Sequence, residues 1–190
     1  NFANKIHKES GRLLSLISDI MELSQLDEKF SDEEFAPVDL AGVAAEVAED
    51  LRSNAEKHGI TITVDTKTAV INGNRNQIYE LIYNLCDNAI RYNRENGSVK
   101  IITGDDNEHP FVKVADTGIG IAPEEQGKVF ERFYRVDKSR SKARGGTGLG
   151  LAIVKHAALY HHATLDLSSE LGVGTTITVT FPIQQDEPFA

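Results

Sequence analysis

Two asparagines lie one helical turn apart in a segment whose side chains could hold a cation. Apolar residues recur with helical spacing over 75–92, which predicts a helix with one face for burial. Asn84, Asn88 and Arg91 fall at i, i+4 and i+7, so their side chains should share the opposite face. Neutral carboxamide oxygens suit magnesium, which needs few protein ligands when phosphates supply the rest. The alternative is that both asparagines simply face water, since asparagine is a mediocre helix former.

A carboxylate followed by two glycines forms a second candidate group. Asp116 ends a predicted strand, and Gly118 and Gly120 follow it before Ile121. A carboxylate at this point could hold the polar edge of a ligand while the glycine backbone comes close to it. The segment lacks the third glycine of the dinucleotide-binding fingerprint, and by itself it could equally be a hairpin turn.

A glycine-rich segment that leads into an apolar helix forms the third group. After Gly145 it consists of Gly146, Thr147, Gly148, Leu149 and Gly150. The N–H groups at a helix N-terminus, with the positive end of the helix dipole behind them, bind anions such as phosphate. The alternative is a glycine hinge before a core helix, although a hinge needs fewer glycines than this segment has.

A basic segment lies between the two glycine groups. Phe130, Phe133 and Tyr134 are spaced to anchor one short helical turn on the domain. The cations among and after them are Arg132, Arg135, Lys138, Arg140, Lys142 and Arg144. We expect this segment to be a mobile lid over the phosphate site. The alternative is a solvated basic loop, which is the usual fate of a run of charges.

The elements that must position these groups predict an α+β fold. Helical patterns cover 40–57, 75–92 and 148–161, and alternating patterns indicate strands at 60–64, 99–103, 111–115, 164–168 and 175–181. Residues 71–74 resemble a turn, and 104–110 a polar loop. We expect a two-layer α/β sandwich, in which one mixed sheet has helices on one face. A long amphipathic helix over 3–26 precedes it, and its nearly heptad spacing predicts a partner helix. The alternative is a helix that packs on its own domain.

Composition and charge exclude several classes of protein. The 190 residues carry a net charge of −9, which argues against nucleic acid as a partner because phosphate backbones need a basic surface. The single cysteine, Cys86, excludes a disulfide framework and should be a buried thiol in a reducing compartment. No apolar run has the length of a membrane span. The sequence begins at Asn1, and we expect it to be part of a longer protein.

Four segments, in this order, resemble the N, G1, F and G2 boxes of sensor histidine kinases. They are 84–92 (NLCDNAIRY), 116–120 (DTGIG), 130–137 (FERFYRVD) and 146–151 (GTGLGL). The resemblance implies that 37–183 form an ATP-binding catalytic domain with a Bergerat-type fold. Residues 1–30 would be the second helix of the dimerisation and phosphoacceptor hairpin, 31–36 a linker and 184–190 a C-terminal tail.

The same resemblance implies a role for each candidate residue at the base end of an ATP site. Asp116 would accept the adenine amino group, and Tyr92 would stack near the base. The lining of that end would come from Gly118, Gly120 and Ile121.

At the phosphate end, the resemblance implies that Asn84 and Asn88 hold Mg²⁺ against the phosphates with Arg91 nearby. Arg135 would reach the γ-phosphate. The triphosphate would be covered by Gly146, Thr147, Gly148, Leu149 and Gly150. Asn88 and Arg135 are thus the candidate catalytic residues for phosphoryl transfer, and ATP and Mg²⁺ are the expected cofactors.

The resemblance also implies partners beyond this sequence. The family's acceptor is a histidine followed by an acidic residue and, a few positions later, a proline, and no histidine here fits this pattern. His7 is followed by Lys8, Glu9 and Ser10 with no proline nearby, and the other five histidines lie within or at the edges of the expected ATP-binding domain. We therefore expect no autophosphorylation of this chain alone. The acceptor would lie on the missing half of the hairpin, and a response regulator would then take the phosphoryl group on an aspartate. The parent would be a homodimeric sensor of the inner or plasma membrane, with this part in the cytoplasm.

Other uses of the same ATP-binding fold are the alternatives. Chaperone, topoisomerase and mismatch-repair ATPases place a glutamate one turn before the metal-binding asparagine to activate water, and here that position is Asn84. An anti-sigma-type serine kinase would lack the long paired helix, and a degenerate nucleotide-binding module would lack some of the boxes. One smaller departure is His162 and Ala163, where the family usually has two glycines, and it puts the local turn in question.

Overall fold

The computed structural model describes Ser10 and residues 35–136 and 147–183. Apart from Ser10, the predicted helix over 3–26 and the hairpin segment 1–30 lie outside the described residues, as do most of the linker and all of the tail at 184–190. In chain order the elements are β1 (Ala36–Asp39), α1 (Leu40–Lys57), β2 (Thr61–Thr66), β3 (Val70–Gly73), α2 (Arg75–Arg91), β4 (Ser98–Asp106), β5 (His109–Asp116), α3 (Pro123–Gln126), α4 (Gly150–Tyr160), β6 (Thr164–Glu170) and β7 (Gly174–Thr180).

Side-chain caps determine where the two longest described helices begin. Asp39 accepts the N–H of Ala41 at 3.1 Å before α1, and Asn74 accepts the N–H of Gln77 at 3.1 Å before α2. Both helices have the predicted bounds to within one residue. The third predicted helix is shorter than expected, since α4 begins only at Gly150.

The five-stranded sheet has the order β2-β4-β5-β7-β6, with β2 and β4 parallel and the other neighbours antiparallel. This confirms the predicted mixed sheet. The polar loop predicted at 104–110 is wrong in extent, because β4 and β5 continue through most of it. Only Asn107 and Glu108 make the turn, both with positive φ (52° and 69°).

The predicted turn at 71–74 is also wrong. Residues Val70–Gly73 form strand β3, which pairs antiparallel with β1 in a separate two-stranded sheet. Ile71 points into the core and is buried beside Val38 of the partner strand. The strand forms because burial of Ile71 and pairing with a distant segment outweigh the turn preference of the Asn-Gly pair that follows.

The core lies between the helices and one face of the five-stranded sheet, as predicted. Alternate residues of the central strands point inward and are buried, namely Val99, Ile101, Val112, Val114, Ile177 and Val179. The helix α2 packs on them with the apolar stripe predicted from its sequence. Cys86 is fully buried on the same helix, as expected, and burial raises the pKa of its thiol.

The end of α4 keeps its turn although no glycine is present. The N–H of Ala163 donates to the carbonyl of Ala158 at 2.8 Å, and that of His162 to Leu159 at 3.1 Å. His162 adopts a φ of 53°, so this is a Schellman motif with a histidine at the left-handed position. The departure from the family pattern therefore leaves the turn intact.

His161, at this same helix end, joins α4 to the start of α2. Its side chain is buried, with a residual exposure of 3%. Nε2 accepts the N–H of Asn74 at 3.0 Å and Nδ1 donates to the carbonyl of Ala157 at 2.8 Å. Both ring nitrogens are thus used by the neutral imidazole, and burial lowers the pKa of His161.

Candidate functional site

One cavity of about 570 Å³ brings most of the predicted site residues together. Those that line it are Asn84, Asn88, Arg91, Tyr92, Asp116, Gly120, Ile121, Arg135, Thr147, Gly148 and Gly150. Gly118 and Leu149 do not line the cavity, and Leu149 is fully buried. Gly146 lies outside the described residues.

The two asparagines of α2 lie one helical turn apart and both line the cavity. Asn84 donates its Nδ2 to the carbonyl of Glu80, and Asn88 donates its Nδ2 to the carbonyl of Asn84, both at 2.9 Å. No described residue donates to either Oδ1 oxygen, so both are available to a cation. Each of the two residues is half-buried.

Gly150 allows the start of α4 to pack directly on this pair. A Cβ atom at this position would lie 2.9 Å from Oδ1 of Asn84 and 3.1 Å from Nδ2 of Asn88. Any larger residue would push the amides aside. The start of α4, which ends the glycine-rich segment, therefore lies directly against the two asparagines.

Asp116 forms the opposite end of the cavity. Its Oδ1 accepts the N–H of Gly118 at 2.7 Å and that of Thr175 at 3.2 Å. Burial raises the pKa of this carboxyl group, and the two N–H donors lower it less than burial raises it. Gly118 permits this close turn, because a Cβ there would lie 2.5 Å from the carbonyl oxygen of Tyr92.

Two arginines of the lining supply positive charge to the cavity. Arg91 pairs through Nε with Asp87 one turn earlier, at 2.5 Å. Arg135 lines the cavity, and its Nε and Nη2 atoms are buried without a hydrogen-bond partner among the described residues. A guanidinium held in this way is ready to receive an anionic ligand.

Hydrogen bonds join the segment that carries Arg135 to the glycine-rich segment and to α3. The N–H of Phe133 donates to the carbonyl of Gly148 at 2.9 Å, and the hydroxyl of Tyr134 donates to Glu125 of α3. Phe130 packs against the core as predicted, but Phe133 is 56% exposed, so its predicted role as an anchor is wrong. Of the six cations in the predicted lid, Arg132 and Arg135 are described, and the other four lie outside the described residues, namely Lys138, Arg140, Lys142 and Arg144. The lid therefore stays a prediction.

Much of the apolar lining of the cavity was not predicted from the sequence. It includes Val114, Ile119, Ala122, Val129, Leu151, Leu171 and Ile177, and Thr175 lines the same cavity. Ile119 and Leu171 lie toward the Asp116 end and are 48% and 65% exposed. Each precedes a glycine with positive φ, and an apolar residue beside such a glycine is the sequence signal that could have indicated them.

Two kinds of feature are absent from the described residues. No group of three or more His, Cys, Asp or Glu side chains could hold a metal ion there. No helix in the described part of the chain combines the length and the apolar character that crossing a membrane requires.

Known proteins resemble this chain over nearly all of its length. The family model for "Histidine kinase-, DNA gyrase B-, and HSP90-like ATPase" matches residues 73–185. The sensor-like histidine kinase SenX3 of Mycolicibacterium smegmatis is 39% identical, over 97% of this chain and 48% of its own length. The phosphate regulon sensor protein PhoR of Pseudomonas aeruginosa is 34% identical, over 93% of this chain and 40% of its own length. The chain thus spans half or less of the length of these curated relatives.

Solved structures show the same fold. Full-length ShkA in complex with AMPPNP superposes with a TM-score of 0.78 at 29% identity, over 92% of this chain and 36% of that one. The mycobacterial sensor histidine kinase MprB gives a TM-score of 0.68 at 29% identity, over 78% of this chain and 97% of that one.

Proposed function

This chain belongs to the histidine kinase-, DNA gyrase B- and HSP90-like ATPase family, and we propose that it is the part of a sensor histidine kinase that binds Mg–ATP and delivers the γ-phosphoryl group to a histidine. The observation that carries the proposal is the division of one cavity into two ends. Asp116 forms one end, and Asn84 and Asn88 face the glycine-rich segment at the other. The histidine kinases that match 93–97% of the chain support this branch of the family.

The Asp116 end fits adenine. The second carboxylate oxygen of Asp116 accepts no hydrogen bond from a described residue, so it can accept one from the 6-amino group of the base. Tyr92, Ile119 and Leu171 line the cavity and offer apolar surface to the faces of the ring. Because a carboxylate only accepts, a purine with a 6-oxo group would meet repulsion at the same place.

The asparagine end fits Mg²⁺ and the phosphates. The oxygens of Asn84 and Asn88 are hard, neutral donors one turn apart, and magnesium takes its remaining ligands from water and phosphate. When bound, the ion would neutralise charge on the phosphate oxygens. Arg135 would contact the γ-phosphate through its buried Nε and Nη2 atoms, which have no hydrogen-bond partner among the described residues. Arg91, held by Asp87, would add a second positive charge.

The carboxylates of the cavity favour phosphoryl transfer over hydrolysis. In the described part of the lining, the acidic side chains are Asp87 and Asp116. Asp87 is paired with Arg91, and Asp116 lies at the base end, so neither is placed to activate water at the γ-phosphate. Asn84 stands one turn before Asn88, where a general base would be needed. Positioning and charge neutralisation by the residues above are what phosphoryl transfer requires.

The acceptor and the later partners belong to the same proposal. The phosphoryl group would go to a histidine imidazole on the other half of a dimerisation hairpin, and from there to an aspartate of a response regulator. The parent protein would act as a homodimeric membrane sensor with this domain in the cytoplasm. The similarity to sensor histidine kinases supports this part of the proposal.

The test is to incubate the purified chain with γ-labelled ATP, Mg²⁺ and a separate hairpin that carries an acceptor histidine. We expect acid-labile label on the hairpin, no label on this chain, and little release of free phosphate. A hairpin with the acceptor histidine replaced by alanine is the matched control and should stay unlabelled. Rapid phosphate release without any labelled hairpin would favour the ATPase alternative and overturn the kinase assignment.

A further inference from the structure

The β6–β7 hairpin is fastened to the loop that follows Asp116. The N–H of Gly172 donates to the carbonyl of Ile119 at 2.7 Å, and the N–H of Ile121 donates to Oγ of Ser169 at 2.8 Å. The side chain of Gln126 donates to the carbonyls of both Ile121 and Ser169 at 2.9 Å. Ser169 thus takes part in the contact through its backbone and through its hydroxyl group.

The hydroxyl of Ser169 has three polar neighbours, and they determine where each proton lies. A serine hydroxyl has one proton and two lone pairs. It accepts from Ile121, and it must donate to the carbonyl of Gly174 at 3.0 Å, because a carbonyl oxygen can only accept. The remaining contact, to Oγ1 of Thr175 at 2.8 Å, therefore requires Thr175 to be the donor.

The direction of this hydrogen bond determines whether the hydroxyl of Thr175 can act as a donor or only as an acceptor toward the cavity that this residue lines. Its hydroxyl proton is used by Ser169, so only lone pairs remain for a ligand. Its backbone N–H is used by Oδ1 of Asp116, which also accepts from Gly118. Asp116 and Thr175 therefore both present acceptors at the base end, and neither side chain presents a donor.

We propose that Ser169 is a positioning residue that commits the proton of Thr175 and thereby makes the base end selective for a purine that carries an amino group. This inference rests on the proposed function, because it concerns the same nucleotide site. Without the Ser169 hydroxyl, Thr175 could rotate and donate a hydrogen bond into the cavity. A purine with a carbonyl group at the same edge would then be accepted more readily, so the selectivity would fall.

The experiment measures the Kd values of ATP and of inosine triphosphate, whose 6-position carries a carbonyl group. They are measured at pH 8 for the wild-type chain, Ser169→Ala and Ser168→Ala. Ser168 is the exposed neighbour on the other face of β6 and provides the matched control. We expect Ser169→Ala to reduce the preference for ATP by about 3- to 10-fold. Ser168→Ala should leave the preference unchanged, and Ser169→Thr, which keeps a hydroxyl, should retain most of it.

The ratio of the Kd for inosine triphosphate to the Kd for ATP distinguishes a positioning role of Ser169 from a role in supporting the fold alone. If Ser169→Ala weakens both nucleotides equally or leaves the ratio unchanged, the inference is wrong while the proposed function stands. If the folded wild-type chain binds neither nucleotide, both fail. Should circular dichroism show that Ser169→Ala is unfolded, Thr175→Val decides instead. That variant removes the acceptor itself and must also lower the ratio.

Discussion

Replacement of Asp116 by asparagine should weaken ATP binding without destabilising the domain. The amide oxygen can still accept the N–H groups of Gly118 and Thr175, so the turn keeps its hydrogen bonds. The amide NH₂ group then occupies the place of the second carboxylate oxygen and points toward the bound base. A donor would face the amino group of adenine, where the wild-type chain has an acceptor.

The size of the effect follows from the hydrogen bond that is lost. A hydrogen bond to a charged group contributes about 1.5–3 kcal/mol, and about 1.4 kcal/mol corresponds to a tenfold change in Kd. The Kd for ATP should therefore rise by about 10- to 150-fold. A loss of less than about 3-fold would mean that Asp116 does not contact the base.

Stability should move in the opposite direction. Because burial raises the pKa of Asp116, its ionised form is less favourable in the folded than in the unfolded chain. This group is most favourable to folding at low pH, and that contribution is lost as the pH rises through its folded pKa. Asp116→Asn should thus be as stable as the wild type, or more stable, at neutral pH, and the difference should shrink in acid.

The assay combines calorimetric titration of ATP with thermal denaturation in the absence of nucleotide. Asp166→Asn is the control, because Asp166 is exposed on β6 and has no part in the cavity. It should change neither the affinity nor the melting temperature. If Asp116→Asn lost affinity only together with a large drop in melting temperature, the carboxylate would be structural and the reasoning above would be refuted.

Three further predictions concern other residues. Asn88→Ala should abolish the effect of Mg²⁺ on ATP affinity, so titrations with Mg²⁺ and with EDTA should agree, and a preserved Mg²⁺ effect would contradict the site. Gly150→Ala should lower Mg–ATP affinity with little change in melting temperature, because its Cβ would displace the flexible amide of Asn84; unchanged affinity would contradict this. His161→Leu should lower the free energy of unfolding by about 1–3 kcal/mol at neutral pH, since two buried hydrogen bonds are lost. Because burial lowers the pKa of His161, the free energy of unfolding of the wild type, measured in urea, should also fall as the pH drops below about 6.5. If the free energy of unfolding of His161→Leu fell equally with pH, this prediction would be wrong.

The long helices could be predicted because their signals are local. Asp39 and Asn74 are capping residues, and the apolar stripes that follow them have the period of a helix. Strand β3 could not be predicted in the same way. It has four residues, and its stability comes from pairing with β1 and from burial of Ile71, neither of which is visible in its own sequence.

In the candidate site, too, residues with a local sequence pattern could be predicted and residues that depend on long-range contacts could not. Polar residues with a fixed spacing on one element, such as Asn84 and Asn88, were found from the sequence and lie together. The contribution of Ser169 and Thr175 was missed, because it depends on the register of a hairpin against a loop about 50 residues earlier in the chain. Such a contact has no local pattern, and only the folded structure places it.

Amide NMR of the isotopically labelled chain, titrated with Mg²⁺ and a non-hydrolysable ATP analogue, would show whether Mg–ATP binds in this cavity. We expect saturable shifts at the backbone amides of Gly118 and Thr175, which donate to Asp116, and at the side-chain amides of Asn84 and Asn88. A folded chain that shows no saturable shifts, or shifts confined to residues outside the cavity, would contradict this expectation.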